Sequence, residues 1–408
     1  MTVTPDSLLI YAPVPLYEAD GGYWLEDQAC NGLRLWAANF GKLITMHPVE
    51  KGRPPPSWIP LSSSGIDFER VEIVPLPSAY RPDRYWRHYR PVRRRIAELI
   101  DRAEYLSFSM GGLFGDWGGV ACLEAAQKGR RFAVWTDRVE SEVVRMHASN
   151  GPTLKGRIRA ALMHRPMAWR ERAIIRKATV GLFHGAETYA AYAPYARVAE
   201  TVHDIHLKAS DQIPAQALQD KQADVMAGPL RICYLGRADP MKGPDDWLQV
   251  LAGLQAAEVD FTATWLGDGE RLGAMRDEVA RMGLDARVKL PGFMRDRNAI
   301  LHALRSSHVF LFCHKTPESP RNLIEALVSG APIIGYDSLF PRDLIAAHGG
   351  GLLTPKHDVT ALTAALVALN ADRARLADLM ARAAKDGSAF NDEAVFRHRS
   401  ELIRKHLG

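Results

Sequence analysis

His308-Val309-Phe310-Leu311-Phe312-Cys313 is a short apolar run of β-forming residues, the pattern of a strand buried on both faces of a parallel sheet. A polar loop, His314 to Pro320, follows at once. It ends in Ser319-Pro320, a good N-cap residue before a proline suited to a first helical position, which predicts a short helix over Arg321 to Ser329. Gly330 stops it, and Ala331-Pro332-Ile333-Ile334-Gly335 reads as the next buried strand, so the whole is a strand, helix, strand crossover. The helix N-terminus then sits at the carboxyl edge of the sheet. There its unpaired N–H groups and positive dipole end favour an anion such as a diphosphate. Glu318 in the loop and Glu325 on the helix flank that spot, and Glu325 interrupts the apolar series Leu323, Ile324, Ala326, Leu327, Val328. A charge in such company needs a partner or a ligand. Arg321, four residues earlier, offers an intrahelical pair in the weaker order, cation first.

The same rhythm organises the rest of the second half. Strands are expected at Leu230 to Leu235, Phe261 to Leu266, Arg287 to Leu290 and Gly351 to Leu353. Helices are expected at Pro244 to Ala256, Arg271 to Met282, Arg297 to Arg305, near Arg342 to Ala347, at Val359 to Leu369 and at Arg373 to Ala384. In the first half, strands are expected at Leu8 to Val14, Leu43 to His47, Val71 to Pro75, Tyr105 to Ser109, Phe132 to Thr136 and Val180 to His184. Leu16 to Gly22 reads as a loop, Trp24 to Asn39 and Gly119 to Gln127 as helices, and the Pro- and Ser-rich residues 48–64 as an irregular excursion. The spacing suits two doubly wound α/β domains. Their expected bounds are 1–208 for the first, 209–228 for a polar connection, 229–390 for the second, and 391–408 for a last helix that returns to brace the first.

No run reaches the about eighteen apolar residues of a membrane span. Met1 to Ser7 carries no basic region before Leu8-Leu9-Ile10, so this start reads as a first strand and not a signal peptide. Four scattered cysteines, Cys30, Cys122, Cys233 and Cys313, fit buried thiols in a reducing cytoplasm and suggest no disulfide framework and no metal site. The net charge of +5 is uneven: residues 1–208 carry 28 Lys and Arg against 22 Asp and Glu, leaving 24 against 25 for residues 209–408. The excess concentrates between Arg81 and Lys177. Lys155 to Lys177 mixes eight basic residues with Leu162, Met163, Trp169, Ile174 and Ile175, a composition that suits either a helix on an anionic membrane surface or a solvated basic face. Aromatic residues do not interleave regularly with the cations, which argues against nucleic acid.

A second candidate site is Tyr234-Leu235-Gly236-Arg237-Ala238-Asp239-Pro240-Met241-Lys242-Gly243-Pro244, where a buried strand delivers the chain to a glycine and two cations five apart precede a helix. Such cations beside a helix N-terminus can hold a diphosphate, Arg bidentately; in isolation, solvated loop charges explain them as well. This segment resembles the Gly-Arg…Lys-Gly signature of the retaining, nucleotide-sugar-dependent glycosyltransferases of family four. Glu318 to Leu327 resembles their Glu-x7-Glu motif, with six intervening residues in place of seven. Gly267-Asp268-Gly269 resembles the family's Gly-x-Gly turn, and Gly292-Phe293-Met294 its Gly-Phe/Tyr step.

The resemblance covers roughly Leu230 to Ala384 and implies the GT-B architecture, two Rossmann-like domains facing across a cleft. It implies that Arg237, Lys242 and the amides around Ser319, Arg321 and Asn322 contact the donor diphosphate, with Gly236 among the donor-binding residues. Glu318 then orients the donor sugar, Glu325 holds the ribose, and backbone at Phe293 and Met294 lies near the base. In the first half Gly21-Gly22 matches the family's glycine loop, although a plain turn explains it as well. The family's His-Asp pair reads here Thr136-Asp137, leaving Asp137 to assist the acceptor or to pair with a neighbouring cation. His203-Asp204-Ile205-His206 reads as cleft lining or structure, and the glycine-rich run Gly111 to Gly119 lacks the Gly-Lys-Ser/Thr of a nucleoside triphosphate loop.

The implied activity is a retaining hexosyltransferase of bacterial exopolysaccharide type. It uses a UDP- or GDP-sugar as substrate, no cofactor, and a glycan acceptor carried on a polyprenyl diphosphate at the inner membrane face. No protein nucleophile is obvious, and the family is thought to react on the donor's front face without one. A sugar-nucleotide epimerase of the same architecture, and a non-catalytic scaffold with a residual nucleotide site, are the rival readings.

Overall fold

A computed structural model describes residues 3–150, 153–316 and 318–408, so Met1, Thr2, Gly151, Pro152 and Pro317 of the site loop lie outside it. The chain divides into two compact units. One runs to His206 and adds Asp392–Gly408, and the other is Leu207–Asn391.

In the first unit ten strands form one sheet: β1 (Thr4–Tyr11), β2 (Leu16–Ala19), β3 (Gly22–Glu26), β4 (Lys42–Glu50), β5 (Trp58–Pro60), β6 (Val71–Pro77), β7 (Ala103–Ser109), β8 (Ala133–Thr136), β9 (Val180–His184) and β10 (Ala199–Val202). The order is β10-β9-β8-β7-β1-β4-β2-β3-β5, with β6 also on β4. Side chains alternate across a strand, so the central pair feeds two cores at once. Leu8 and Leu43 are paired in register and face one cluster with Trp36, Phe396 and Ile403; Leu9 and Ile44 face the other, with Val92, Ile96, Val120 and Ile174. The helices Pro82–Arg102, Trp117–Gln127 and Leu154–Lys177 thus share one face, and Asp27–Asn39 with Asp392–Leu407 cover the opposite one. Trp36 meets Phe396 edge-on at 5.1 Å between centroids, and Arg404 reaches Asp6 at 2.6 Å.

The second unit holds β11 (Leu230–Leu235), β12 (Phe261–Leu266), β13 (Val288–Gly292), β14 (Val309–Phe312), β15 (Ile333–Tyr336) and β16 (Gly351–Thr354) in the order β13-β12-β11-β14-β15-β16, every pair parallel. Counted within the unit this is 3-2-1-4-5-6, the doubly wound order whose direction of travel reverses between its first and fourth strands. β11 and β14 are those two.

Several sequence expectations need correction. Leu16 to Gly22 is not a loop: β2 and β3 pair antiparallel through a two-residue turn in which Asp20 and Gly21 both have positive φ (52° and 74°), the twist a tight hairpin needs. Residues 48–64 contain β5, which adds antiparallel to β3, so this sheet is parallel at its centre and mixed at one edge. The helix expected from Trp24 begins at Asp27, because Trp24 and Leu25 belong to β3. Residues 209–228, read as a connection, carry the helix Ala215–Asp224 inside the second unit, where Gln222 donates to the carbonyl of Ala377 at 2.8 Å. Among the described residues no helix is long and apolar enough to cross a membrane.

Candidate donor site

The loops after β11 and β14 are adjacent because their strands are. Gly243, with φ 67°, lies so close to the second loop that a Cβ there would stand 2.1 Å from the carbonyl oxygen of Cys313. Only glycine fits that approach. The Lys315 amide closes the same seam by donating to the Met241 carbonyl at 2.9 Å. Across it Lys242 Nζ donates to Glu318 Oε1 at 2.7 Å, both side chains largely buried (11% and 14% exposed). Asn322, at the start of the helix Arg321–Val328, donates to the carbonyl of Leu235, and Gly236 next to it leaves room for both Asn322 and the Tyr234 hydroxyl. The structure therefore brings Gly236, Lys242, Glu318 and Asn322 together, although about eighty residues separate their motifs.

Arg237 points differently. Its guanidinium is 69% exposed and touches Asp239 at 3.2 Å, free to turn toward a ligand at small cost, since an exposed pair contributes little. Glu325 has found a partner that sequence did not suggest: Arg297, first residue of the helix Arg297–Ser306, donates to its Oε1 at 2.7 Å. Phe293 and Met294 follow edge strand β13, Phe293 62% exposed, and the amide of Gly267 donates to the Gly292 carbonyl at 3.0 Å. Ser319 does not cap the helix: the N-cap is Pro320, with no side-chain capping bond, and Ser319 is buried.

Tyr234 and His314, which sequence reasoning passed over, stand behind Glu318. Tyr234 Oη lies 2.8 Å from His314 Nε2, and His314 Nδ1 lies 3.7 Å from Glu318 Oε1. Burial, followed by the nearby Lys242 ammonium, holds the His314 imidazole well below its usual range, and burial with the Glu318 carboxylate pushes the Tyr234 phenol well up. A neutral ring accepting from a neutral phenol leaves its N–H on the side of the carboxylate. The signal available in sequence was position alone, since each residue ends or directly follows a buried strand. Thr316 Oγ1 and Asn322 Oδ1 are buried with no hydrogen-bond partner among the described residues, a cost a bound polar ligand would remove.

In the first unit Gly21 and Gly22 are exposed at the hairpin tip with nothing near them. Asp137 follows β8, and its carbonyl accepts from the Thr188 hydroxyl at 3.5 Å; Arg138 pairs with Glu140 at 2.7 Å. The glycine-rich run is packing: Gly118 abuts the Ser109 carbonyl, and Asp116 caps its helix while holding Arg170 at 2.6 Å. Asp204 donates its amide to His184 and pairs with buried Arg399; no metal-holding cluster occurs among the described residues.

Residues 216–386 match the family described as glycosyl transferases group 1, a span that takes in all six strands of the second sheet and every donor-side residue named above. That match lies wholly within the second unit. Among curated relatives, the amylovoran biosynthesis glycosyltransferase AmsK of Erwinia amylovora is 27% identical over 192 residues, 45% of this chain and 47% of that protein. The putative colanic acid biosynthesis glycosyltransferase WcaL of Salmonella typhimurium is 26% identical over 184 residues, 43% and 45% of the two chains. The matches thus span about half the length of these relatives. HepE of Anabaena, solved in complex with UDP, superposes with a TM-score of 0.66 at 14% identity over 98% of this chain and 100% of that one. That likeness shows the fold, which is GT-B.

Proposed function

We propose that this chain moves a hexose from a nucleotide-diphosphate sugar to a hydroxyl of a glycan acceptor, with retention at the anomeric carbon, in bacterial exopolysaccharide assembly. The observation that carries this is the meeting of Lys242, Glu318 and the start of helix Arg321–Val328 at the reversal point between β11 and β14. Ligands of open α/β sheets settle at such points. As the donor's bond to its diphosphate breaks, negative charge grows on the leaving oxygen. Lys242, Arg237 and the amides of Arg321 and Asn322 are the groups that stabilise it, from a pre-arranged and partly water-excluded position. Glu318 orients the sugar, with its charge balanced by Lys242, and Glu325 with Arg297 holds the ribose end, while Phe293 and Met294 border the base. UDP in HepE supports a nucleotide donor, with UDP and GDP the two bases to compare. The first unit, with Asp137 at the carboxyl end of β8, takes the acceptor, a polyprenyl-diphosphate-linked glycan at the cytoplasmic membrane face.

Calorimetric titration of UDP and GDP tests the site. One nucleotide binds, and Lys242→Ala weakens it about tenfold or more, equivalent to about 1.4 kcal/mol. Binding of neither nucleotide refutes the site. Binding without turnover on any acceptor, with wild type no faster than Glu325→Ala, leaves a scaffold, and isomerised donor without acceptor identifies an epimerase.

A further inference from the structure

The helix Leu154–Lys177 turns Ala160, Met167, Ile174 and Ile175 inward. At about 100° per residue, Leu154, Ile158, Leu162 and Trp169 fall within about 80° of one another on a stripe away from that buried face. They are 72%, 54%, 72% and 71% exposed. Four large apolar side chains in one line at the surface are costly in water, and among the described residues nothing else in the first unit covers them.

The charge around the stripe has one sign. Lys155, Arg157 and Arg159 are exposed beside it and Arg165 is exposed within it, and no ion pair neutralises them among the described residues. The helix's one carboxylate, Glu171, is buried, taking hydrogen bonds from the Ser141 amide and hydroxyl at 2.9 and 2.6 Å. On the same face of the sheet the helix Pro82–Arg102 adds exposed Arg84, Arg87, Arg90 and Arg94 and a 65% exposed Trp86. A second copy meeting this stripe would set cations against cations, and nucleic acid gives no use to a line of Leu and Ile.

We propose that this stripe seats the first unit on a bilayer of anionic phospholipid, with Leu154, Ile158, Leu162 and Trp169 entering the acyl boundary and the flanking cations at phosphate level. The inference goes beyond the transfer reaction and does not depend on it.

Flotation of the full chain with vesicles of phosphatidylcholine and phosphatidylglycerol at roughly 3:1 tests it, against phosphatidylcholine alone. The wild type floats with the anionic vesicles and at least tenfold less with the neutral ones. Ile158→Glu with Leu162→Glu lowers partitioning about tenfold or more, and so does Lys155→Glu with Arg165→Glu. All four positions are exposed, so circular dichroism of these variants matches the wild type, and Ile158→Gln with Leu162→Gln gives the same loss without added charge. Lipid addition shifts tryptophan emission to the blue, and Trp169→Phe removes most of that shift. Wild type left in the supernatant, or partitioning unchanged in both apolar double variants, overturns the proposal. A dimer of the wild type that the apolar variants abolish, without lipid binding, overturns it in favour of self-association.

Discussion

Lys221, on the helix Ala215–Asp224, is 5% exposed, and among the described residues its ammonium has no carboxylate partner; Nζ donates to the carbonyls of Ser329 (3.2 Å) and Leu304 (3.4 Å). Those carbonyls end the two helices that carry Glu325 and Arg297. Two helix C-termini favour a cation, but burial outweighs them and pulls the Lys221 pKa down to about 7 from 10.5. Below about pH 7 both folded and unfolded chains hold the proton, and the penalty is full. Between about pH 7 and 10.5 the unfolded chain binds more protons than the folded one, so this residue's contribution to stability rises with pH. At 1.36 kcal/mol per pH unit the penalty is about 4–5 kcal/mol near pH 6.5 and about 1–2 near pH 9.5. Lys221→Met keeps the volume, removes the charge and leaves the two carbonyls unanswered, for about 1–3 kcal/mol. The stability of wild type relative to Lys221→Met should therefore rise by about 3 kcal/mol from about pH 6.5 to 9.5. Hydrogen exchange of peptides from Phe310 to Tyr336, corrected for intrinsic rates, reads this in the second unit alone. A difference between the two proteins that does not change with pH would refute the reasoning.

Gly243→Ala forces a Cβ onto the Cys313 carbonyl from a left-handed backbone. It should cost about 2–4 kcal/mol of local stability and abolish nucleotide binding, read by exchange in Met241 to Lys315 and by calorimetry. Arg297→Ala removes the guanidinium that donates to Glu325 Oε1. Donor KM should rise about tenfold with kcat little changed, and an equal fall in both kcat and kcat/KM would instead place Arg297 in the transition state.

The layout of the second unit was legible because its central strands, Val309–Phe312 and Ile333–Tyr336, are apolar runs set between helical segments. The first unit was harder. The helix Pro82–Arg102 carries Pro91 and a crowd of arginines that hide Val92, Ile96, Leu99 and Ile100, the stripe by which it packs. The β2–β3 hairpin was announced by Asp20-Gly21 and was passed over because Leu16 to Ala19 is too short to show alternation. At the site, glycines and cations could be placed from their strands, whereas pairings such as Lys242 with Glu318 and Arg297 with Glu325 join residues 76 and 28 apart that no local pattern links.

The helix Asp392–Leu407 has a temporal meaning as well as a spatial one. It leaves the ribosome only after Leu207–Asn391 has been made, yet it covers Trp36 and Phe40, which emerge well before that unit. During synthesis the early unit waits with that face open while the later unit, whose chain is continuous, closes on its own. Any delay or cut before residue 392 thus leaves sticky surface not where translation stopped but several hundred positions upstream.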